Sequence, residues 1–149
     1  MNTEEVISRS RISLMEEIPS KKDAIMQMAK SFLEDGTIED INVFIKDINK
    51  REKEYCTYVG NETAIPHAIS STVKKAGIAF IKTEKPFPYG EQGEQVRLLF
   101  MLAIPKDSNE EHLRMLSMLA TNLMHKDFRE YLIQANDVDT IYQYLTRIH

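Results

Sequence analysis

Two apolar runs near the middle of the chain, AGIAFIKT (76–83) and VRLLFMLAIP (96–105), constrain the fold more than anything else in the sequence. Neither alternates cleanly between apolar and polar residues, so each reads as a strand buried on both faces. Such strands need cover above and below, and the flanking sequence supplies it as helices. Ser20, with Asp23 three positions on, offers an N-cap; Ile25, Met28, Ala29, Phe32 and Leu33 follow at helical spacing, and Gly36 is placed as a stop. A second helix is predicted over 38–53. Its buried stripe is Ile41, Phe44, Ile45 and Ile48, and Lys50, Arg51 and Lys53 sit at the negative end of its dipole. Ser108 with Glu111 forms another capping box, opening a helix over 109–124 with Leu113, Leu116, Leu119, Ala120 and Leu123 as its core stripe. DFREYLIQA and VDTIYQYLTRI read as two closing helices. The order is helix, helix, strands, helices, which predicts an α/β single-domain sandwich: a mixed β-sheet covered by α-helices on both faces. Strand order does not follow from the pattern.

The remaining segments are less regular. CTYVGNETAIPHAI mixes β-formers with Gly60-Asn61 and Pro66, so short strands and loops are expected there, and PFPYGEQGE reads as a turn-rich loop. Residues 1–19 read as a loosely placed lead-in, the first seven least ordered, with one short apolar stretch from Ile12 to Leu14. No repeat or linker divides the 149 residues, so a single domain over 1–149 is expected. A net charge of −4, with basic residues interleaved among acidic ones, argues against nucleic-acid binding, which needs a clustered basic surface. The single cysteine, Cys56, has no partner for an intramolecular disulfide and reads as a small buried residue. With no apolar leader at the N-terminus and no run long enough to span a bilayer, a cytoplasmic location is expected.

Chemistry has few places to reside. There is no phosphate-cradling glycine loop, no paired-cysteine motif and no histidine pair at i, i+4, so neither a cofactor nor a metal is expected. Of the four histidines, His125 ends a helix and His149 ends the chain; both read as structural or surface residues. His67 follows Ala64-Ile65-Pro66. Pro66 fixes its own φ and restricts Ile65 to extended backbone, so the ring is delivered on a stiff approach. That suits either a partly buried loop histidine or a ring held in one orientation for attack. His112 falls in the first turn of its helix, where unpaired N–H groups and the positive dipole end favour an anion, or else it simply covers Met115 and Leu116. Arg51, in NKREKEY, is a solvated helix end or a cation at a site.

Taken in order, three segments resemble the mannitol/fructose-type enzyme IIA domain of the bacterial phosphoenolpyruvate-dependent sugar phosphotransferase system. They are SKKDAIMQMAKSFLEDG, REKEYCTYVGNETAIPHA and VRLLFMLAIPKDSNEEHLRMLSMLATNLM, within a likeness running over roughly 8–146. The resemblance implies that His67 is the phosphorylated residue, that His112 supports it, and that Arg51 steadies the phosphoryl group. It implies acceptance of phosphate from phospho-HPr and transfer to a cysteine of a IIB domain. The membrane would be met only indirectly, through a IIC component, and fructose is the first expectation for the sugar, with mannitol or another polyol second. It also leaves room for a phosphorylation-dependent regulatory IIA-like protein. Ala68 stands where this family usually has glycine, and NETAIPH replaces a more typical NGIAIPH; these differences fall in the loop and not on the proposed reacting groups. Glu110 and Glu111, near His112, are expected to steer a basic partner face.

Overall fold

The computed structural model describes residues 3–108 and 110–148, and of Glu111 the backbone alone. A short 3-10 turn, Thr3–Glu5, leads into β1 (Ile7–Met15), followed by α1 (Lys21–Glu34) and α2 (Ile41–Glu54). Three short strands come next, β2 (Tyr58–Gly60), β3 (Thr63–Ala64) and β4 (His67–Ser70). The long pair β5 (Gly77–Pro88) and β6 (Gln95–Pro105) precedes α3 (Glu110–Leu123), α4 (Lys126–Gln134) and α5 (Val138–Leu145).

The two apolar runs are the centre of the sheet. Its order is β1-β5-β6-β3-β2, with β4 also paired to β6. β5 and β6 are antiparallel, β1 runs parallel to β5, and β3 and β4 both run parallel to β6, so the sheet is mixed as expected. Because side chains alternate along β6, the strand feeds two cores. Leu99 and Met101 meet Phe32, Phe44 and Ile48 under α1 and α2. Leu98, Phe100 and Leu102 meet Met115, Leu119, Leu132 and Ile141 under α3, α4 and α5. Phe32 packs edge-on to Phe44 at 5.8 Å, and Phe80 lies 4.7 Å from Phe100. Fully buried rings of this kind contribute about 2–3 kcal/mol each by area.

Helix boundaries follow their caps. Ser20 accepts from the Asp23 N–H, Asp40 from Asn42 and Val43, and Asp137 from Thr140. Gly36, at φ +79°, reverses the chain after α1, and the Thr37 N–H returns to the Phe32 carbonyl at 2.9 Å. The Ser108–Glu111 capping box rests on Asn109 and the Glu111 side chain, which lie outside the described residues, as does His149. His125 does not end a helix with its charge at a negative terminus; it is the exposed residue from which α4 starts, and its side chain makes no cap bond.

Three expectations are corrected. Residues 7–15 are not a loose lead-in but a nine-residue edge strand. Its polar stretch Ser8-Arg9-Ser10-Arg11 hides the alternation because the register shifts between Ile7 and Ile12, and the buried Arg11 guanidinium fills the gap. It donates to the carbonyls of Val6 (2.9 Å) and Ile78 (3.2 Å), to Thr37 Oγ1 (3.3 Å), and to Asp35. β5 runs on through Pro86-Phe87-Pro88, which reads as loop; a second register shift between Lys82 and Phe87 accommodates the prolines and still buries Phe87 against Val96. On α3 the buried stripe is Met115, Leu119 and Leu123, while Leu113 and Ala120 are exposed. The leucines alone misplace the face, since the apolar residue that completes it is Met115. Among the described residues no helix is long and apolar enough to cross a membrane.

Candidate functional site

The site begins with the backbone that carries His67. β3 and β4 lie along the same side of β6 in one continuous register, Thr63 opposite Leu98 and His67 opposite Leu102, so Ile65-Pro66 is a break within one strand path. Pro66 lacks an N–H but its carbonyl accepts from the Leu102 N–H at 3.0 Å, which fastens the peptide just before His67 to the sheet's central strand. No described strand pairs with the outer edge of β4, and the space beside it is an open groove of about 390 Å³. His67, Ala68 and Ile69 line it from β4; Asp47, Lys50, Arg51 and Glu54 enter from α2 on one side, and His112, Leu113 and Leu116 from α3 on the other. Ile104 and Lys106, at and just beyond the end of β6, complete it. The three residues singled out by the sequence, His67, His112 and Arg51, therefore line one groove.

His67 is half-buried, and its Nδ1 lies 2.8 Å from the Ile65 carbonyl oxygen. A carbonyl can only accept, so Nδ1 carries the hydrogen and Nε2 keeps the ring's lone pair. Burial holds the imidazole below the ordinary histidine pKa. The Ile65 hydrogen bond and the charge of Glu52 oppose that shift, whereas the Arg51 guanidinium adds to it. In its neutral form a ring with this tautomer turns the Nε2 lone pair outward, and among the described residues nothing bonds to that atom.

Arg51 stands in the last turn of α2, where Nη1 donates to the Tyr55 carbonyl at 2.7 Å. That contact uses one of its five N–H donors. His112 is in the first turn of α3, and its Nδ1 is buried with no hydrogen-bond partner among the described residues. A buried unpaired ring nitrogen costs about 1–3 kcal/mol, which is tolerated where the partner arrives from outside. Sequence reading missed Lys50 and Lys106, which bring the groove to three cations against the carboxylates of Asp47 and Glu54. Their only sequence signal was adjacency, Lys50 to Arg51 and Lys106 to the end of a buried strand. It also missed the apolar rim: Ile69 and Leu113 are 55% and 68% exposed. Of the two acidic residues expected to steer a partner, Glu110 is fully on the surface and pairs loosely with Arg114 at 3.9 Å. Cys56 is partly and not fully buried, packed against the core under α1 and α2, with Lys21 Nζ 3.9 Å from its sulfur.

The loop entering the site is unusual in its backbone. Gly60, Asn61 and Glu62 take φ of +91°, +51° and +59° in succession. Glu62 is clamped there by Arg97, whose Nη2 and Nε donate to its two carboxylate oxygens at 2.9 and 3.1 Å.

Known proteins resemble the chain over most of its length. Residues 5–148 match the family described as Phosphoenolpyruvate-dependent sugar phosphotransferase system, EIIA 2. The chain is 32% identical over 138 residues to the PTS system fructose-specific EIIA component of Haloferax volcanii, covering 92% of this chain and 90% of that protein. Among solved structures it is similar to the nitrogen regulatory protein IIA-Ntr from Neisseria meningitidis, with a TM-score of 0.86 and 30% identity over 95% of this chain and 97% of that one. It shares its fold with enzyme IIAMtl of Escherichia coli, solved in complex with phosphorylated enzyme IIBMtl, at a TM-score of 0.79 and 23% identity over 94% of this chain and 98% of that one.

Proposed function

The chain belongs to the phosphoenolpyruvate-dependent sugar phosphotransferase system EIIA 2 family, and from that premise we propose that it is a cytoplasmic phosphoryl carrier that bears the group on Nε2 of His67. The observation that carries this reading is the 2.8 Å contact from Nδ1 to the Ile65 carbonyl, which leaves Nε2 as the one ring atom able to attack. In the first step the Nε2 lone pair of neutral His67 attacks the phosphorus of the phosphohistidine on HPr. The new Nε2–P bond forms as the donor N–P bond breaks, and the donor imidazole leaves with the electron pair. Positive charge grows on the His67 ring, and the Ile65 carbonyl that receives Nδ1–H stabilises it. In the second step a cysteine thiolate of a IIB domain attacks the same phosphorus, an S–P bond replaces the Nε2–P bond, and Nε2 recovers its lone pair.

Little covalent work falls to the surroundings in such a transfer; placement and charge stabilisation dominate. Arg51 faces the equatorial oxygens, supported by Lys50 and Lys106 from the same groove. His112 holds a polar atom in reserve beside them and supports the phosphorylated ring. Ile69 and Leu113 give the rim an apolar surface on which two partners dock in turn, as befits small transient interfaces. The sugar served is fructose, the reading favoured by the Haloferax relative's name, with mannitol as the alternative.

The test is to incubate the protein with phosphoenolpyruvate, the general phosphorelay enzyme and HPr, and map the acid-labile phosphate. Label on His67, absent from His67→Ala, is expected; label elsewhere, or undiminished in that variant, removes the proposal. A second reading, a phosphorylation-dependent regulator, is favoured by the likeness to IIA-Ntr. Phosphorylation at His67 without any sugar phosphorylation in the presence of IIB and IIC components would select it.

A further inference from the structure

Glu52 is the one carboxylate of the last turns of α2 that does not face water: it is 6% exposed, beside Arg51 in sequence but turned into the protein. A buried carboxylate is costly unless several donors meet it. Here Lys21 Nζ, at the first turn of α1, lies 2.8 Å from Oε1, and Thr57 Oγ1 donates to Oε2. The Thr57 N–H approaches Oε1 at 3.4 Å, and the Thr57 hydroxyl is 3.0 Å from the buried Tyr89 hydroxyl. Since Thr57 gives its own hydrogen to Glu52, Tyr89 is the donor in that last contact.

None of these groups lines the His67 groove, yet they are connected to it. The Thr57 carbonyl accepts from the Ile65 N–H at 3.0 Å, and the Ile65 carbonyl accepts from His67 Nδ1–H at 2.8 Å. The path therefore runs from Glu52 to Thr57, from Thr57 to Ile65, and from Ile65 to the imidazole. The N–H and C=O of Thr57 belong to different peptide units, as do those of Ile65, so the path acts by fixing positions and not by passing polarisation along a shared amide. We infer that Glu52 is a positioning residue for His67: by anchoring Thr57 it holds the Ile65 carbonyl where it selects the Nδ1–H tautomer and leaves Nε2 free. This deepens the carrier reading and rests on it for its consequence in rate.

A purely structural role for Glu52, tying α2 to α1 and to the end of β5, would leave the state of the His67 ring unchanged, and that difference supplies the test. Two variants are compared with the whole protein. Glu52→Gln keeps shape and removes the charge; Thr57→Val removes the hydroxyl link and leaves Glu52 with Lys21. Folding is checked first by amide spectra, and the ring nitrogens of His67 are then read by 15N NMR at a pH where the ring is neutral. The wild type is expected to show the Nδ1–H tautomer almost alone, and both variants a shift toward Nε2–H. Single-turnover transfer from phospho-HPr is expected to slow about tenfold, the scale on which outer partners of a functional histidine act, with the half-saturating donor concentration unchanged. A folded variant whose His67 keeps the wild-type tautomer overturns the inference whatever its transfer rate. A wild-type protein that takes no label at His67 overturns the carrier reading instead, and the tautomer comparison still decides the role of Glu52.

Discussion

Replacing Arg11 by methionine measures what holds the edge strand that the sequence conceals. The side chain is 6% exposed, and its guanidinium bridges four acceptors on three segments: Val6, Ile78, and the Asp35–Thr37 turn after α1. Removing one partner of a buried pair costs about 3–5 kcal/mol, mostly from the charge left behind. Two features put this site at the low end. Asp35 is 25% exposed and keeps Thr37 N–H at 3.0 Å and Thr37 Oγ1 at 2.6 Å, so its charge is not stranded. Val6 O keeps the Ile78 N–H at 2.7 Å. The expected loss is therefore about 3 kcal/mol, which in a chain of this size lowers the melting temperature by roughly 6–12 °C. In urea the midpoint falls by about 1–2 M at an m-value of about 2 kcal/mol/M. Burial opposes ionisation of Asp35, but its bonds from Thr37 and the charge of Arg11 outweigh that and hold its pKa below the ordinary carboxylate range. A depressed folded-state pKa contributes stability that is complete above the unfolded value and disappears as pH falls through the folded one. The gap between wild type and Arg11→Met is thus full at neutral pH and narrows in acid, and salt barely changes it because the pair is shielded from counterions. A loss under about 1 kcal/mol, or one abolished by 0.5 M (roughly a 4 Å screening length) salt, would mean that the pair behaves as a surface contact and that the guanidinium does not fill the gap in the strand.

Two further outcomes concern the groove. Because burial, aided by Arg51, depresses the His67 pKa, the ring keeps its neutral form to lower pH than an ordinary histidine. Single-turnover acceptance from phospho-HPr, corrected for the donor's own pH dependence, should lose half its rate at a pH below the ordinary histidine value; a midpoint at or above the ordinary value would contradict the burial assignment. Arg51→Gln keeps a donor for the Tyr55 carbonyl and removes the charge. Transfer should slow by about 100-fold, the lower end for loss of one stabilising donor, because Lys50 and Lys106 remain. Unchanged transfer with unchanged stability would return Arg51 to the helix end as a solvated residue.

The elements that were legible in the sequence are those whose local chemistry agrees with their tertiary role. Ser20 and Gly36 bracket α1 because capping and left-handed φ are local properties, and the runs around Phe80 and Phe100 declare double burial by composition alone. Residues 7–15 were illegible for the opposite reason: Arg11 looks like a surface residue in a polar stretch, and only Asp35, Thr37 and the carbonyls of Val6 and Ile78 make its burial affordable. Glu52 is similar. Within NKREKEY it is one more charge in a solvated run, and its partners Lys21 and Thr57, with Tyr89 behind Thr57, come from three other segments. His67 was legible as a stiffly delivered ring, but its tautomer was not, since the Ile65 carbonyl turns toward Nδ1 only once β3 and β4 share a register on β6.

Glu62 brings the two levels together. It stands in NETAIPH where NGIAIPH is more typical, and its φ of +59° is the backbone conformation that glycine adopts without strain. A side chain there costs about 1–2 kcal/mol. Two terms offset the cost: the two-pronged Arg97 pair, half in solvent and worth about 0.5–1 kcal/mol, and the smaller conformational freedom of glutamate in the unfolded chain, about 0.4–1 kcal/mol. The sum is close to zero. The Glu62 carbonyl keeps the pairing that the loop requires in any case, accepting from the Arg97 and Leu98 N–H groups at 2.8 and 3.1 Å. The approach to His67 therefore retains its path over β6 with a charged residue at the tightest point of the turn. The departure changes the surface of the loop and not the geometry that delivers the imidazole.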